Sequence, residues 1–178
     1  MKKKLKEVFS SIKVILIILI STVIVRSYFF TTVKVEGSSM YPSFYDGDLI
    51  GILKIGYTLD LFDNIVFNTP EEDYYIKRII GVPGQIVWYE NNYLYIDNEI
   101  IEETFLDRDR EPFPFTEDFN LEDICNYNNL ENCDVIPEGF YLILGDNRLN
   151  SKDSRIIGLI KEDQILGKVI FNLTEWKH

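Results

Sequence analysis

The chain has 178 residues, enough for one domain of modest size together with an anchor. Its formal net charge at pH 7 is −11, and because lysines crowd the start of the chain, the remainder is more acidic still, which argues against a nucleic-acid partner. The sole histidine is His178, the last residue, so the composition also argues against a Ser-His-Asp triad and a zinc site, and no metal or cofactor is implied.

The first predicted element is a membrane-spanning helix over residues 12–30, which are mostly aliphatic or aromatic. About 19 helical residues cover about 28 Å, close to the hydrocarbon thickness of a bilayer. Arg26 lies near the outer end, where its side chain can extend to the interface. A cleavable signal peptide would have small residues at its cleavage site, but bulky residues follow Arg26. We therefore expect an uncleaved single-pass anchor in the cell membrane. The basic residues 1–11 would then be cytoplasmic and the rest outside.

Short strand patterns dominate the remainder. The sequence predicts strands from apolar runs bounded by turn residues, from one alternating stretch and from a hairpin with Asn91 and Asn92 at its turn: 33–36, 49–55, 64–67, 74–80, 87–89, 93–96, 140–144 and 169–171. We therefore predict a mainly β protein, with a compact antiparallel β domain after the transmembrane helix.

Residues 102–138 differ in character, with scattered apolar residues, prolines and both cysteines. This segment is typical of an insertion or small cap, which leaves residues 31–101 and 139–178 for the β core. Cys125 and Cys133 are either joined in a disulfide that closes a small loop or free thiols, and the sequence leaves both alternatives open.

Ser39 is the candidate nucleophile. It lies just beyond the anchor in Gly37-Ser38-Ser39-Met40-Tyr41-Pro42, where Gly37 permits unusual backbone angles and Pro42 fixes the chain. A rigidly held serine beside backbone N–H groups suits acyl transfer, because those groups can bind an oxyanion. The alternative is an ordinary turn rich in glycine, serine and proline.

Lys77 is the candidate general base. It interrupts the apolar strand Tyr75-Ile76-Lys77-Arg78-Ile79-Ile80, and period-two alternation places it on the face opposite to Arg78. Burial would lower its pKa toward the 7–8 that a base needs near neutral pH. The alternative is a lysine on an edge strand that extends to solvent.

A third stretch, residues 145–155, is dense in turn-forming residues and follows a predicted strand. Within it, Ser151 could donate a hydrogen bond to Lys77 and orient it. Asp153 and Arg155 could pair and stiffen the loop around the site. Taken alone, such a stretch is also typical of a solvated turn.

In this order behind an anchor, the three stretches resemble those of type I signal peptidases, the bacterial Ser-Lys proteases that remove signal peptides from exported proteins. The resemblance covers essentially the whole chain, and the short length and single anchor are similar to Gram-positive members. It implies Ser39 as nucleophile and Lys77 as general base. Gly37 stands where some members have a serine that helps bind the oxyanion, so here backbone N–H groups would bind it.

The resemblance also implies partners: signal peptides of exported pre-proteins, the lipid bilayer and an encounter with the secretion translocon. Two other readings stay open at this stage. One is a peptidase of the same type dedicated to one class of substrate, such as a pilin precursor. The other is a non-catalytic anchored β domain that binds extracellular partners, in which Ser39 and Lys77 would be far apart.

Overall fold

The structure is a computed structural model that describes four stretches of the chain: residues 2–69, 74–106, 115–130 and 133–174. Side chains are described from residue 11 onward. His178 lies outside the described residues, as do parts of the predicted core and of the predicted cap.

One long helix, α1 (Lys2–Phe29), begins the chain. Its segment Ser11–Phe29 is long and apolar enough to cross a membrane, and none of that segment is buried inside the protein. The helix ends one residue before the predicted bound because Phe30 opens the first strand, where β-branched residues follow and favour extended backbone.

The described residues after α1 form ten strands and two short helices. In chain order these are β1 (Phe30–Lys34), β2 (Leu49–Leu53), β3 (Asn64–Asn68), β4 (Tyr74–Gly81), β5 (Val87–Glu90), β6 (Tyr93–Ile96), β7 (Glu99–Ile101), α2 (Leu121–Asn126), β8 (Phe140–Leu144), α3 (Ser154–Ile157), β9 (Ile160–Lys161) and β10 (Ile165–Asn172). The predicted strands are present, although β1 and β10 begin earlier than the pattern indicated. The short elements β7, α2, α3 and β9 were not predicted.

Seven strands form one antiparallel sheet in the order β1-β2-β10-β3-β4-β8-β9, and β5, β6 and β7 form a second sheet. The last strand, β10, returns between β2 and β3. β4 lies inside the sheet between β3 and β8, so Lys77 is on an interior strand and not on an edge. The prediction of a mainly β protein with an N-terminal apolar helix is confirmed.

Cys125 and Cys133 form a disulfide, with their Cα atoms 6.3 Å apart. Cys125 belongs to α2, whose N-cap is Asn120, and it packs in the core cluster shared by the second sheet and β8. The disulfide therefore closes a loop of the segment predicted as the cap and fastens it to the core.

Candidate active site

Ser39 is held at the surface by buried neighbours. Met40 and Phe44 insert their side chains into a core cluster that includes Ile76 from β4. The turn is closed by backbone hydrogen bonds from Tyr41 to Ser38 and from Phe44 to Met40, of 3.1 and 3.0 Å. Met40 is buried and Ser38 is exposed, and Ser39 between them is half-buried.

Lys77 reaches Ser39 from β4. Its Nζ lies 2.7 Å from Ser39 Oγ and 2.8 Å from the carbonyl oxygen of Ile76, and the residue is 2% exposed. The Nζ also lies 5.3 Å from the centre of the Tyr75 ring, which is on the same face of the strand. The sequence-predicted pair is therefore in direct contact, which contradicts the reading in which the two residues are far apart.

Burial decides the protonation of Lys77. Loss of hydration lowers its pKa from 10.5 to about 8, while the carboxylates of Asp153 and Asp146 act in the opposite direction and raise it. Both hydrogen-bond partners of Nζ are uncharged oxygens. An amine in this environment is neutral in a useful fraction of molecules near neutral pH and can then accept a proton from the serine.

The pair opens into a cleft of about 380 Å³. Its walls come from β1 and the segment after it, from the start of β4, and from the loop after β8. They combine apolar side chains with backbone of extended strands, including Val33, Val35, Ile50, Val66, Tyr75 and Ile76. Lys34, Glu36 and Lys152 also line this cleft, and its extended strands offer backbone groups to which an extended peptide could bind.

The loop after β8 holds the backbone around the nucleophile. Asn147 donates from its backbone N to the carbonyl oxygen of Ser39 at 3.0 Å, and its side chain donates to that of Ser38 at 3.0 Å. Asn150 donates to Ser38 Oγ at 3.3 Å. Gly145 passes so close that a Cβ there would lie 2.5 Å from the Ser39 carbonyl oxygen, which explains the absence of a side chain.

Asp153 and Arg155 pair as predicted. Arg155 binds the buried carboxylate of Asp153 with Nε and Nη2, each at 2.8 Å. Asp153 also accepts from the backbone N of Gly145 at 3.0 Å and caps α3. The two residues thus connect both ends of the loop.

Ser151 is in the right place but makes a different contact from the one predicted. Its Oγ is buried and has no hydrogen-bond partner in the described part of the chain, so it does not donate to Lys77 here. It packs against Gly145, where a Cβ would lie 2.2 Å from the hydroxyl. Its orienting role stays a prediction.

Gly37 takes a backbone angle that favours glycine, with φ of +80°. Its N donates to Asp46 Oδ1 at 2.8 Å, so this group is already bonded. The backbone N of Ser39, in contrast, has no hydrogen bond within the described residues. Ser39 N is therefore the better-placed oxyanion donor of the two.

The sequence analysis missed a buried ion pair beside the site. Arg78 follows Lys77 on β4 and binds Asp146 with Nε and Nη2, at 2.9 and 2.6 Å. Ser43 donates to the same carboxylate at 2.5 Å, and Phe62 accepts from Arg78 through its carbonyl oxygen. The pair joins β4 to the loop that holds Ser39. The sequence did contain a signal for this pair, because Arg78 and Asp146 are charged residues that lie inside the second and third of the three recognised motifs.

The comparisons with known proteins agree with this geometry. A family model described as signal peptidase, peptidase S26, matches residues 8–174. Signal peptidase IB of Staphylococcus aureus is 41% identical over 187 aligned positions, covering 100% of this chain and 95% of that protein. Signal peptidase I of Bacillus caldolyticus is 35% identical, covering 85% of this chain and 84% of its own.

A solved structure adds the fold. The crystal structure of a signal peptidase I from Enterococcus faecalis V583 superposes with a TM-score of 0.52 and 34% identity, covering 65% of this chain and 98% of that one. The family match spans nearly the whole chain, including Ser39 and Lys77. The chain therefore belongs to the signal peptidase family, peptidase S26, and is a serine peptidase.

Proposed function

We propose that this protein is a membrane-anchored endopeptidase that removes signal peptides from exported pre-proteins, with Ser39 as nucleophile and Lys77 as general base. The observation that carries the proposal is the 2.7 Å contact between Lys77 Nζ and Ser39 Oγ at the base of the cleft. The lowered pKa of Lys77 supports it, because a lysine must lose its proton to act as a base.

In the first step, neutral Lys77 takes the proton of the Ser39 hydroxyl as Oγ attacks the carbonyl carbon of the scissile bond. The carbonyl oxygen becomes an oxyanion, to which the backbone N–H of Ser39 donates. The tetrahedral intermediate collapses when the C–N bond breaks and the protonated lysine gives its proton to the leaving amine, which is the new N-terminus of the exported protein.

In the second step, the signal peptide is bound to Ser39 as an ester and Lys77 is neutral again. Lys77 takes a proton from water, and the hydroxide attacks the ester carbonyl. The C–O bond breaks, the proton returns to Ser39 Oγ, and the signal peptide leaves with a new carboxylate. Asp153 and Arg155 hold the loop during both steps, and no metal or cofactor takes part.

The anchor places this chemistry at the membrane surface. β1 follows α1 without a linker, and the backbone N of Lys54 donates to the carbonyl oxygen of Phe29 at 2.8 Å, which ties the helix end to β2. We propose that α1 crosses the membrane once, with the β domain on the extracytoplasmic side. The lipid bilayer and the secretion translocon then present signal peptides at high effective concentration.

The test is cleavage of a pre-protein with an Ala-x-Ala site by detergent-solubilised full-length enzyme, compared with Ser39→Ala and Lys77→Ala. We expect cleavage by wild type and a loss of at least about 10³-fold in both variants. Lys161→Ala, an exposed lysine on β9, is the matched control and will cleave as wild type does. Full cleavage by Ser39→Ala would overturn the proposal.

A further inference from the structure

A buried ion pair lies outside the cleft, behind the loop after β8. We call this loop, residues 145–153, the catalytic loop. Arg148 and Glu103 are bound to each other, and both side chains are fully buried. Two hydroxyl groups contact the pair as well: Arg148 Nη1 donates to Tyr89 Oη at 2.7 Å and to Thr116 Oγ1 at 2.9 Å, and Tyr89 in turn donates to Glu103. The guanidinium therefore has one carboxylate partner and two hydroxyl partners in this pocket.

Arg148 connects this pocket to the nucleophile. Its Nε donates to the carbonyl oxygen of Gly145 at 3.1 Å, and its own carbonyl oxygen accepts from Arg155 at 2.9 Å. The residue before it is Asn147, whose backbone N donates to the carbonyl oxygen of Ser39. A change in the position of Arg148 is thus transmitted to Ser39 through one peptide unit and one hydrogen bond.

The chain segment that carries Glu103 also covers the other half of the site. The centre of the Phe105 ring lies 4.0 Å from Arg78 Cζ and 6.0 Å from Arg148 Cζ. Arg78 is adjacent to Lys77 on β4 and is bound to Asp146 of the catalytic loop. The segment therefore packs against Arg78, the residue after Lys77, and its Phe105 ring lies near Arg148, which follows the residue bonded to Ser39.

We propose that Glu103 is a positioning residue for the cleavage reaction, which acts through Arg148 to fix the loop that holds Ser39 against Lys77. This inference rests on the proposed function and assigns it a residue outside the three recognised motifs. Glu103 touches neither Ser39 nor Lys77. Its carboxylate is required because removal of one partner of a buried ion pair leaves an uncompensated buried charge, which destabilises the arrangement that holds Arg148 in place.

The experiment uses the full-length enzyme with Glu103→Gln, which keeps the shape and removes the charge. We expect kcat to fall about 10- to 100-fold, since a misplacement of about 1 Å costs about 10²-fold, with KM changed less than about threefold. Leu121→Ala is the control, because Leu121 is buried with Tyr89 in one core cluster but lies on α2, outside residues 145–155 and outside the ion pair. It will lower Tm and leave kcat of the folded enzyme near that of wild type.

A double variant tests the route through Arg148. In an Arg148→Met background, adding Glu103→Gln will not lower kcat further, because the partner on which Glu103 acts is gone. If the loss of kcat in the double variant equals the product of the losses in the two single variants, Glu103 acts elsewhere, and this result would overturn the inference. A kcat of Glu103→Gln within twofold of wild type would overturn it as well.

Two further readouts keep the inference testable. Hydrogen exchange of the Asn147 amide will be at least about tenfold faster in Glu103→Gln, while the Val35 amide, bonded to Asp48 outside the loop, stays unchanged. If Glu103→Gln alone does not fold, the double variant Arg148→Met with Glu103→Gln, which buries no charge, takes its place, and a kcat equal to that of wild type there would overturn the inference. Wild-type enzyme that does not cleave would refute the proposed function instead, because the exchange readout does not depend on activity.

Discussion

Two regions of this molecule bury a cation, with opposite electrostatic results. In the cleft, the amine of Lys77 contacts two uncharged oxygens, and burial lowers its pKa to about 8. Behind the catalytic loop, Arg148 contacts the carboxylate of Glu103, and the charges around it raise its pKa in spite of burial. Both residues are 2% exposed, so the difference lies in the partner and not in the degree of burial.

The comparison separates the cation proposed as the general base from structural ones. A buried lysine without a carboxylate in contact can lose its proton and serve as a base. The described arginines around the site, Arg78, Arg148 and Arg155, are each bound to a carboxylate and stay charged. Because successive side chains on a strand point to opposite faces, β4 supplies one cation of each kind, Lys77 to the cleft and Arg78 to the ion pair.

The strongest way to break this distinction is Lys77→Arg. A guanidinium in the cleft stays protonated at any working pH, so it cannot accept the proton of Ser39. We expect kcat/KM for the pre-protein to fall at least about 10³-fold, although the charge and approximate length are kept. Arg78→Lys is the reciprocal control and will cost about tenfold or less, because a lysine keeps the charge beside Asp146. Retention of more than one-tenth of the activity by Lys77→Arg would contradict the assignment of the base.

The next largest effect concerns the buried ion pair between Arg78 and Asp146. Asp146→Asn leaves Arg78 buried without its counter-charge, so we expect the free energy of unfolding to fall by about 3–5 kcal/mol. Denaturant unfolding of the detergent-solubilised protein measures this change. Asp60→Asn is the control, since Asp60 is 71% exposed on its side chain and lies 3.9 Å from Lys168. It will cost less than about 1 kcal/mol, and equal losses in the two variants would contradict the comparison.

These arrangements were only partly predictable from the sequence. Ser39, Lys77 and the Asp153–Arg155 pair lie in compact motifs, and the strands follow from apolar runs. The pairs Arg78–Asp146 and Arg148–Glu103 join residues 68 and 45 positions apart, so local patterns cannot match them. The return of β10 between β2 and β3 is a long-range pairing of the same kind.

Other misses have a local cause. The unpredicted elements are the helices α2 and α3, of six and four residues, and the strands β7 and β9, of three and two residues, which are too short for a helical or alternating period to be recognised. The expected hydrogen bond from Ser151 to Lys77 is not present in the structure. Lys77 Nζ bonds instead to Ser39 and Ile76, and the direction of a hydroxyl in a tight loop is set by packing against Gly145.

A smaller effect, in the opposite direction, sharpens the comparison. Lys77→Met removes a cation whose burial is unfavourable, so the inactive variant will be more stable than wild type. The pKa falls from 10.5 to about 8 on folding, which corresponds to a cost of about 3 kcal/mol below pH 8, partly offset by two hydrogen bonds that the variant lacks. Unfolding free energies at pH 7 and pH 10.5 measure the difference between variant and wild type.

The size of this difference depends on pH in a defined way. Below pH 8 both the folded and the unfolded wild type are protonated at Lys77, so the full cost is present. Between pH 8 and 10.5 the unfolded chain binds a proton that the folded protein does not, so wild-type stability rises with pH and the advantage of Lys77→Met shrinks. An advantage that is independent of pH would show that Met simply packs better.

The smallest effect is the pH dependence of cleavage, which reports the same lysine in the active enzyme. With a pKa of about 8, the neutral fraction of Lys77 increases about tenfold between pH 7 and pH 9. We expect kcat/KM to rise by that factor and level off, and a midpoint near 10.5 would show that burial does not act on this amine.

Asp153→Asn sharpens the test, because Asp153 raises the pKa of Lys77 and also holds the loop. Loss of the loop contact lowers the height of the profile, whereas loss of the carboxylate moves its midpoint below that of wild type. A lower plateau with an unchanged midpoint would therefore mean that Asp153 acts on geometry alone.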